Sequence, residues 1–212
     1  MRPADIYREG ISRLTPKDFR YAQELGYAIK LLAIGKLLGG AIQVRVHPAL
    51  VPLDLLLAKV DGVFNAVYVE GDLVGRVLFY GQGAGALPTT SSVVANVLDV
   101  AQSLSSGASP RPNVRLDAPK ALLPFSDIRT RYYLRVSVAD RPGVLAQIAK
   151  VLGDHLISIS SCIQKESDES AQTAEIVIMT HLAQESAMLS ARTELEKLAT
   201  VHEIGSFIRV ES

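Results

Sequence analysis

Three glycines fall within five residues, Gly81, Gly83 and Gly85, in the stretch FYGQGAGALPTTSSVVANVLDVAQ (79–102). A glycine-rich loop that feeds a helix N-terminus offers bare N–H groups to a phosphate or dinucleotide. The full dinucleotide fingerprint is Gly-x-Gly-x-x-Gly inside a βαβ unit, with an acidic residue about 20 positions on. Here the spacing is Gly-x-Gly-x-Gly, and the loop follows a pattern that reads as an antiparallel hairpin. Three readings stand side by side: a primary dinucleotide site, a tight turn between strand and helix, or a loop that approaches a cofactor held mainly by another domain. A second motif is Asp140-Arg141-Pro142-Gly143-Val144-Leu145. Asp140 ends a strand, Pro142 fixes the first turn, and Gly143 leaves N–H groups open to a carboxylate at a helix N-terminus. It reads either as a well-built strand-to-helix turn or as the anion end of a small amino-acid site. His47, His155, His181 and His202 lack metal-ligand spacing, so no metal site is assigned. Cys162, the single cysteine, reads as a small packed hydrophobe. Glu70 and Asp72 flank Gly71 in a turn and read as solvated. No catalytic acid–base pair and no nucleophile constellation emerges.

The elements that must position these motifs follow from periodicity. Thr15 caps a helix with Pro16 at its first position, where the missing N–H costs nothing, and Gly26 can stop it. AIKLLAIGKLL reads as a buried strand, with a helix not excluded by periodicity alone. IQVRVHPAL alternates as a strand. Val63–Val69 and Val74–Tyr80 form a hairpin joined at Glu70-Gly71-Asp72. The helix Thr90–Leu104 places Val93, Val94, Val97, Leu98, Ala101 and Leu104 on one face. After a Ser-, Pro- and Gly-rich stretch the order is strand, helix, strand, strand, helix, strand. In this part Leu134, Val136 and Val138 share one strand face. Val144, Leu145, Ile148, Val151 and Leu152 share a helix side that stops at Gly153. SDESAQ is a turn, and Met188, Ala191, Leu195 and Leu198 line the second helix. This is the ferredoxin-like βαββαβ order, with two helices on one sheet face and the other face wet or covered by a partner. The fold class is α+β: a partial mixed or antiparallel sheet with helices, then the ferredoxin-like unit. The expected division is residues 1–105, a linker over 106–130, and a second domain over 131–212.

Bulk properties exclude several classes. The chain has 212 residues, 48% of them hydrophobic, so a sizeable core can form. Its 22 basic and 22 acidic residues cancel, which argues against a nucleic-acid surface. No apolar run approaches the roughly 20 residues of a membrane span. The polar start MRPADIYREG lacks a signal-peptide core. One cysteine excludes an internal disulfide framework. A cytoplasmic location is expected.

The segments EGISRLTPKDFRYAQELGYAIKLLA, VRVHPALVP, VDGVFNAVYVEGDLVGRVLFYGQGAGALPTTSSVVANVLD and YYLRVSVADRPGVLAQIAKVLGDHLISISSCIQK together resemble the C-terminal half of bacterial homoserine dehydrogenase. The last eighty or so residues resemble its ACT domain, a small amino-acid-sensing module. The resemblance implies NAD(P)-dependent interconversion of homoserine and aspartate semialdehyde, on the route to threonine and methionine. It implies that the glycine loop closes over the nicotinamide end of the cofactor, with Gly85 the main contact and Gly83 and Ala84 its neighbours. It also implies a homodimer, through the first domain or through ACT pairing, and an amino-acid effector, with threonine as the end product. The effector's carboxylate would lie near Gly143 and Val144, its amino group near Asp140, and Ser158 and Ile159 would line the partner side.

Set beside that family, the chain begins downstream of the Rossmann domain and of the segment that supplies the substrate-binding acids and catalytic lysine. Lys17, Lys30 and Lys36 lie in other motifs. The expectation is therefore a portion of an enzyme that binds no cofactor tightly and is inactive alone. The alternative is a stand-alone ACT-type amino-acid-binding regulator. Its discriminating feature is the helix Thr90–Leu104, whose apolar positions a free-standing protein should have made polar; they remain Val, Val, Val and Leu.

Overall fold

The computed structural model describes residues 2–107, 120–168 and 172–211. The contacts divide the chain into two compact units, residues 1–53 with 120–212, and residues 54–119. Most of the stretch expected as a linker, 108–119, and the middle of the SDESAQ turn, 169–171, lie outside the described residues.

The first unit contains β1 (Tyr7–Arg8), α1 (Pro16–Glu24), β2 (Tyr27–Leu38), β3 (Ala41–Pro52), β6 (Arg129–Ala139), α3 (Val144–Asp154), β7 (Ile159–Asp168), β8 (Thr173–Thr180), β9 (Ala183–Gln184), α4 (Glu185–Leu195) and β10 (Val201–Val210). The second contains β4 (Phe64–Gly71), β5 (Gly75–Gln82) and α2 (Ala86–Ser106). The βαββαβ order from β6 to β10 is as expected. Its four long strands lie in the order β10-β6-β8-β7, all antiparallel. The sheet does not end there. β3 joins β10 in parallel at Arg209↔Ala49 and Val210↔Leu50, and β2 pairs along all of β3.

Alternation along β6 sorts its side chains onto two faces. Tyr132, Leu134, Val136 and Val138 enter a core with Val144, Ile148, Val151 and Leu152 of α3 and Met188, Ala191 and Leu195 of α4. Tyr133 faces the other way, into a second cluster with Val177, Met179, Ile208 and Val210. That second face is covered from within the chain: α1 lays Tyr21 and Ala22 on it. Asp18, Tyr21, Ala22 and Leu25 fall at i, i+3, i+4 and i+7, one helical stripe. Two carboxylates fix the helix there. Asp18 accepts from Arg135 Nε at 2.7 Å, and Glu175 from Arg135 Nη1 at 3.1 Å and Lys17 Nζ at 3.1 Å. Tyr21 Oη donates to the second oxygen of Glu175 at 2.8 Å.

Several boundaries differ from the sequence reading, each for a local reason. β2 is a strand, but not a buried one: it is an edge, and Leu31, Leu37 and Leu38 are exposed. The hairpin turn is Asp72-Leu73-Val74, because Gly71 pairs with Gly75 and it is Gly75 that takes the positive φ. α2 starts at Ala86, and all five large apolar residues of its expected face are more than half exposed. Leu145 is 45% exposed, so the buried stripe of α3 omits it. α3 runs through Gly153 to Asp154, with His155 as its C-cap and Leu156 taking the left-handed conformation in glycine's place.

A polar cluster lies on one face of β3, at Gln43, Arg45 and His47, all buried. Arg45 ion-pairs with Glu211 and donates from Nη1 to Gln43 at 2.5 Å and from Nε to His47 Nε2 at 3.1 Å. His47 Nε2 is thus an acceptor, and the ring proton sits on Nδ1, 2.9 Å from the Pro48 carbonyl. The stacked rings of Tyr7 and Phe125 stand edge-on to the imidazole. Burial, reinforced by the charges of Arg209 and Arg45, pushes the His47 pKa below its ordinary value. The unfolded imidazole then binds a proton more readily than the folded one. His47 should leave stability intact above its unfolded pKa of about 6.5 and erode it as pH falls below that, at up to about 1.4 kcal/mol per pH unit. Urea melts at pH 5 and pH 7 should show a steeper loss for the native chain than for His47→Gln; equal slopes would remove His47 as the cause.

Candidate cofactor loop and ligand turn

The glycine loop belongs to the second unit. β4 and β5 pair from Phe64↔Gln82 to Gly71↔Gly75, with Phe64 and Tyr80 stacked at 4.8 Å. The ladder runs one rung past β5: the Gly83 N–H donates to the Val63 carbonyl at 2.9 Å. A Cβ on Gly83 would lie 1.5 Å from Asn65 Nδ2 and 2.7 Å from its Cγ, so glycine is what lets the Asn65 side chain cross the loop. Gly85 is the N-cap of α2 with φ 118°, a conformation L side chains rarely adopt. Pro88, third in the helix, has no N–H. The first-turn donors are therefore Ala86 and Leu87, and no side chain caps them. Residues 81–87, Gly83, Ala84 and Gly85 included, are exposed. The arrangement is a short run of open backbone donors, Ala84 to Leu87, at the positive end of a 21-residue helix, anchored at one side by the Gly83 hydrogen bond. It is chemically suited to amide and phosphate oxygens. The unit pairs an antiparallel hairpin with a helix, so the strip is not the first turn of a βαβ nucleotide fold.

The ligand turn belongs to the first unit. β6 ends at Ala139, and the Asp140 N–H donates to the Gln172 carbonyl at 2.8 Å. The Asp140 side chain is exposed and makes no hydrogen bond or ion pair among the described residues. Gly143, the N-cap of α3, has φ 87°; a Cβ there would meet nothing within 4 Å, so the backbone angle and not packing calls for glycine. Val144 is 3% exposed with its side chain in the core, which leaves only its N–H to face a ligand. Ser158 is exposed just before β7, and Ile159 opens β7 packed against the core.

The sheet register separates these two groups. Ala139 stands opposite Thr173, whereas Ile159 stands opposite Thr180. The two positions are seven residue steps apart along β8, roughly 23 Å at about 3.3 Å per residue. Asp140, Gly143 and Val144 share one end of the sheet, and Ser158 and Ile159 share the other. One copy of the chain does not bring all five together.

α3 reaches Ser158 through a strained turn. Leu156 is 93% exposed at φ 59°, and its N–H donates to the Gly153 carbonyl at 2.9 Å. A leucine in the left-handed region costs about 1–2 kcal/mol, and here no packing offsets it. Leu156→Gly should stabilise the chain by about 0.5–1 kcal/mol after glycine's extra unfolded-state entropy is subtracted. Thermal unfolding checks this, and a lowered melting temperature would show that Leu156 makes a contact in solution.

Sequence reasoning missed the ionic clusters around Arg135, Arg209 and Arg45. The signal for the first was available: in YYLRVSV, Arg135 alternates onto the face opposite Leu134 and Val136.

Comparison with known proteins matches these elements to two families. Residues 1–98 match the family described as homoserine dehydrogenase, and residues 132–200 match the ACT domain. A homoserine dehydrogenase of Neisseria gonorrhoeae is 46% identical over 97% of this chain and 48% of its own length. That of Pseudomonas aeruginosa is 42% identical over 97% of this chain and 48% of its own. The crystal structure of a homoserine dehydrogenase from Thiobacillus denitrificans superposes with a TM-score of 0.84 at 42% identity, covering 99% of this chain and 48% of that one. The chain spans about half the length of the curated relatives it matches. The chain's first 98 residues are thus similar to the homoserine dehydrogenase family, and residues 132–200 to the ACT domain.

Proposed function

We propose that this chain is the C-terminal portion of a homoserine dehydrogenase, an enzyme that interconverts L-homoserine and L-aspartate 4-semialdehyde with NAD(P). The observation that carries the reading is the glycine strip Gly83-Ala84-Gly85. It is fixed by the Gly83–Val63 hydrogen bond, kept narrow by Asn65, and aimed from a helix N-terminus. The open N–H groups that follow that anchor, Ala84 to Leu87, fit the polar oxygens of a nicotinamide dinucleotide. When bound, that cofactor supplies the hydride acceptor and donor. The loop's part is to orient the cofactor and exclude water, as a lid. The 212 residues contain no Gly-x-Gly-x-x-Gly, so the lid serves a cofactor whose main contacts lie on other residues. On this reading the chain alone does not turn over homoserine.

The test is a hybrid. This chain replaces the matched segment of the Neisseria enzyme, and NAD(P)-dependent oxidation of homoserine is followed. Activity is expected in the hybrid, and Gly85→Asp should lower kcat/KM by about 100-fold by displacing the cofactor from its reacting position. An active isolated chain whose rate Gly85→Asp abolishes would overturn the lid reading.

For the ACT domain we propose an amino-acid effector, with threonine as the end-product candidate. Its carboxylate is placed on the N–H groups of Gly143 and Val144 and its ammonium at Asp140. Ser158 and Ile159 then come from a second copy, since the register keeps them at the opposite end of the sheet. This makes a dimer part of the effector site. The complete core of the ACT domain also supports a second reading, an amino-acid-binding regulator in its own right. Inactive hybrids combined with threonine-dependent stabilisation of the isolated chain would favour that reading.

A further inference from the structure

We propose that the first unit holds a second ligand site, separate from the ACT turn, for a free α-amino acid in its zwitterionic form. The site is a cleft of about 330 Å³ between the segment Tyr7–Arg13, α4 and β10. That volume sits at the lower end of the range for small-molecule pockets, about 300–1,000 Å³. Its floor is Arg209, 1% exposed and locked by two carboxylates. The guanidinium also lies against the rings of Tyr7, Phe125 and Phe207, 4.9–5.2 Å from their centroids. Such a floor is preorganised and has little rotamer entropy left to lose on binding.

The walls carry unspent charge of both signs. Arg13 is exposed and makes no hydrogen bond or ion pair among the described residues. Among the described residues Arg192 uses only Nε, on Glu196 at 3.0 Å, so Nη1 and Nη2 remain open. Glu9 spends one oxygen: Oε2 accepts from Tyr7 Oη at 2.8 Å and from Arg209 Nη1 at 2.9 Å, while Oε1 accepts nothing among the described residues. Leu189 and Phe207 add an apolar wall. A guanidinium pair matches a carboxylate. An unshared carboxylate oxygen matches an ammonium. A phosphate would set its charge against Glu9, and a simple amine would set its charge against Arg13 and Arg192. A molecule with both groups and an apolar side chain satisfies all of these together.

Isothermal titration of the full chain tests this with leucine, methionine and threonine. N-acetyl-leucine, leucinamide and inorganic phosphate serve as probes that each lack one feature. One of the free amino acids should bind, and its blocked forms should bind more weakly by about tenfold or more. Arg13→Gln and Glu9→Gln should each weaken the same ligand by about tenfold, with the native circular dichroism spectrum retained. Asp140→Asn, at the ACT turn, should leave this binding event unchanged. The proposal is overturned if no free amino acid binds up to about 10 mM. It is equally overturned if phosphate binds as well as the zwitterion, or if Asp140→Asn removes the binding that Arg13→Gln spares. None of these outcomes bears on the glycine lid, which is read by dehydrogenase activity in the hybrid.

Discussion

Glu185→Ala should destabilise the chain by about 3–5 kcal/mol, a large share of the roughly 5–15 kcal/mol by which a domain is ordinarily stable. Glu185 opens α4 and is fully buried. Its carboxylate receives Arg209 Nε at 2.8 Å, Arg209 Nη2 at 2.5 Å and Tyr132 Oη at 2.9 Å. A carboxylate at a helix N-terminus also meets the favourable end of the helix dipole. Removing it strands a guanidinium that is 1% exposed, and orphans the Tyr132 hydroxyl. Burial works against the charge on Arg209, but Glu185 and Glu9 outweigh it and hold the pKa above its ordinary value. Arginine therefore cannot escape by losing a proton, as a lysine would. Glu9, the remaining carboxylate, is partly solvated and reaches one nitrogen only, and the Tyr7 hydroxyl that also accepts from Arg209 is uncharged. Urea unfolding should show a lower midpoint with an unchanged slope. The double variant Glu185→Leu/Arg209→Met should recover most of the loss, because the desolvation of both charges disappears with them. A single variant within about 1 kcal/mol of the native chain would show that the pair carries little of the fold.

What the residues revealed in advance and what they did not divides along physical lines. The ACT strands and helices were readable because each keeps one period over a long run. Leu134, Val136 and Val138 alternate strictly, and Met188, Ala191 and Leu195 recur at helical spacing. Helix ends were harder. Gly153 looked like a stop, but helix capping is settled by the backbone angle that the next strand requires, and here Leu156 supplies it. The fate of the second sheet face was beyond reach of local pattern. That face needed a cover, and nothing in RYYLRVSV says that the cover is α1, more than a hundred residues earlier. The buried cations were hidden for the same reason. A strand arginine reads as solvent-facing until its distant carboxylate is known. The glycine loop was legible as a strip of donors, whereas the effector residues could be named without showing that they sit at opposite ends of the sheet.

That α1 cover sets up the second large effect. Asp18→Ala should cost about 3–4 kcal/mol, from a buried ion pair and a helix start lost together. Asp18 is fully buried and clamps Arg135 through two bonds, Oδ1 to Nε at 2.7 Å and Oδ2 to Nη2 at 3.2 Å. The same carboxylate accepts the Thr15 N–H at 2.9 Å, which fixes the first turn of α1. Burial alone would raise its pKa, but the hydrogen bonds from Arg135, Ser206 and Thr15 outweigh burial and lower it. The folded carboxyl thus releases its proton more readily than the unfolded one. Its contribution is complete above the unfolded pKa of about 4 and is lost as pH falls through the lower folded value. Without Asp18, Arg135 retains Glu175 and Ser206, so the ACT core should survive while α1 lifts from the sheet. Hydrogen exchange separates these outcomes: amides from Lys17 to Glu24 should lose protection before those of β6 and β8. Asp18→Asn should fall between, since it keeps an acceptor for Thr15 and loses the charge opposite Arg135. Gly205→Ala probes the other side of the same guanidinium, where a Cβ would lie 2.7 Å from Arg135 Cζ and push it off Asp18. If α1 keeps its protection in Asp18→Ala, the apolar contacts of Tyr21 and Ala22 hold it unaided. If it does not, this ion pair is the tie by which a change in the ACT sheet reaches the segment shared with the dehydrogenase family.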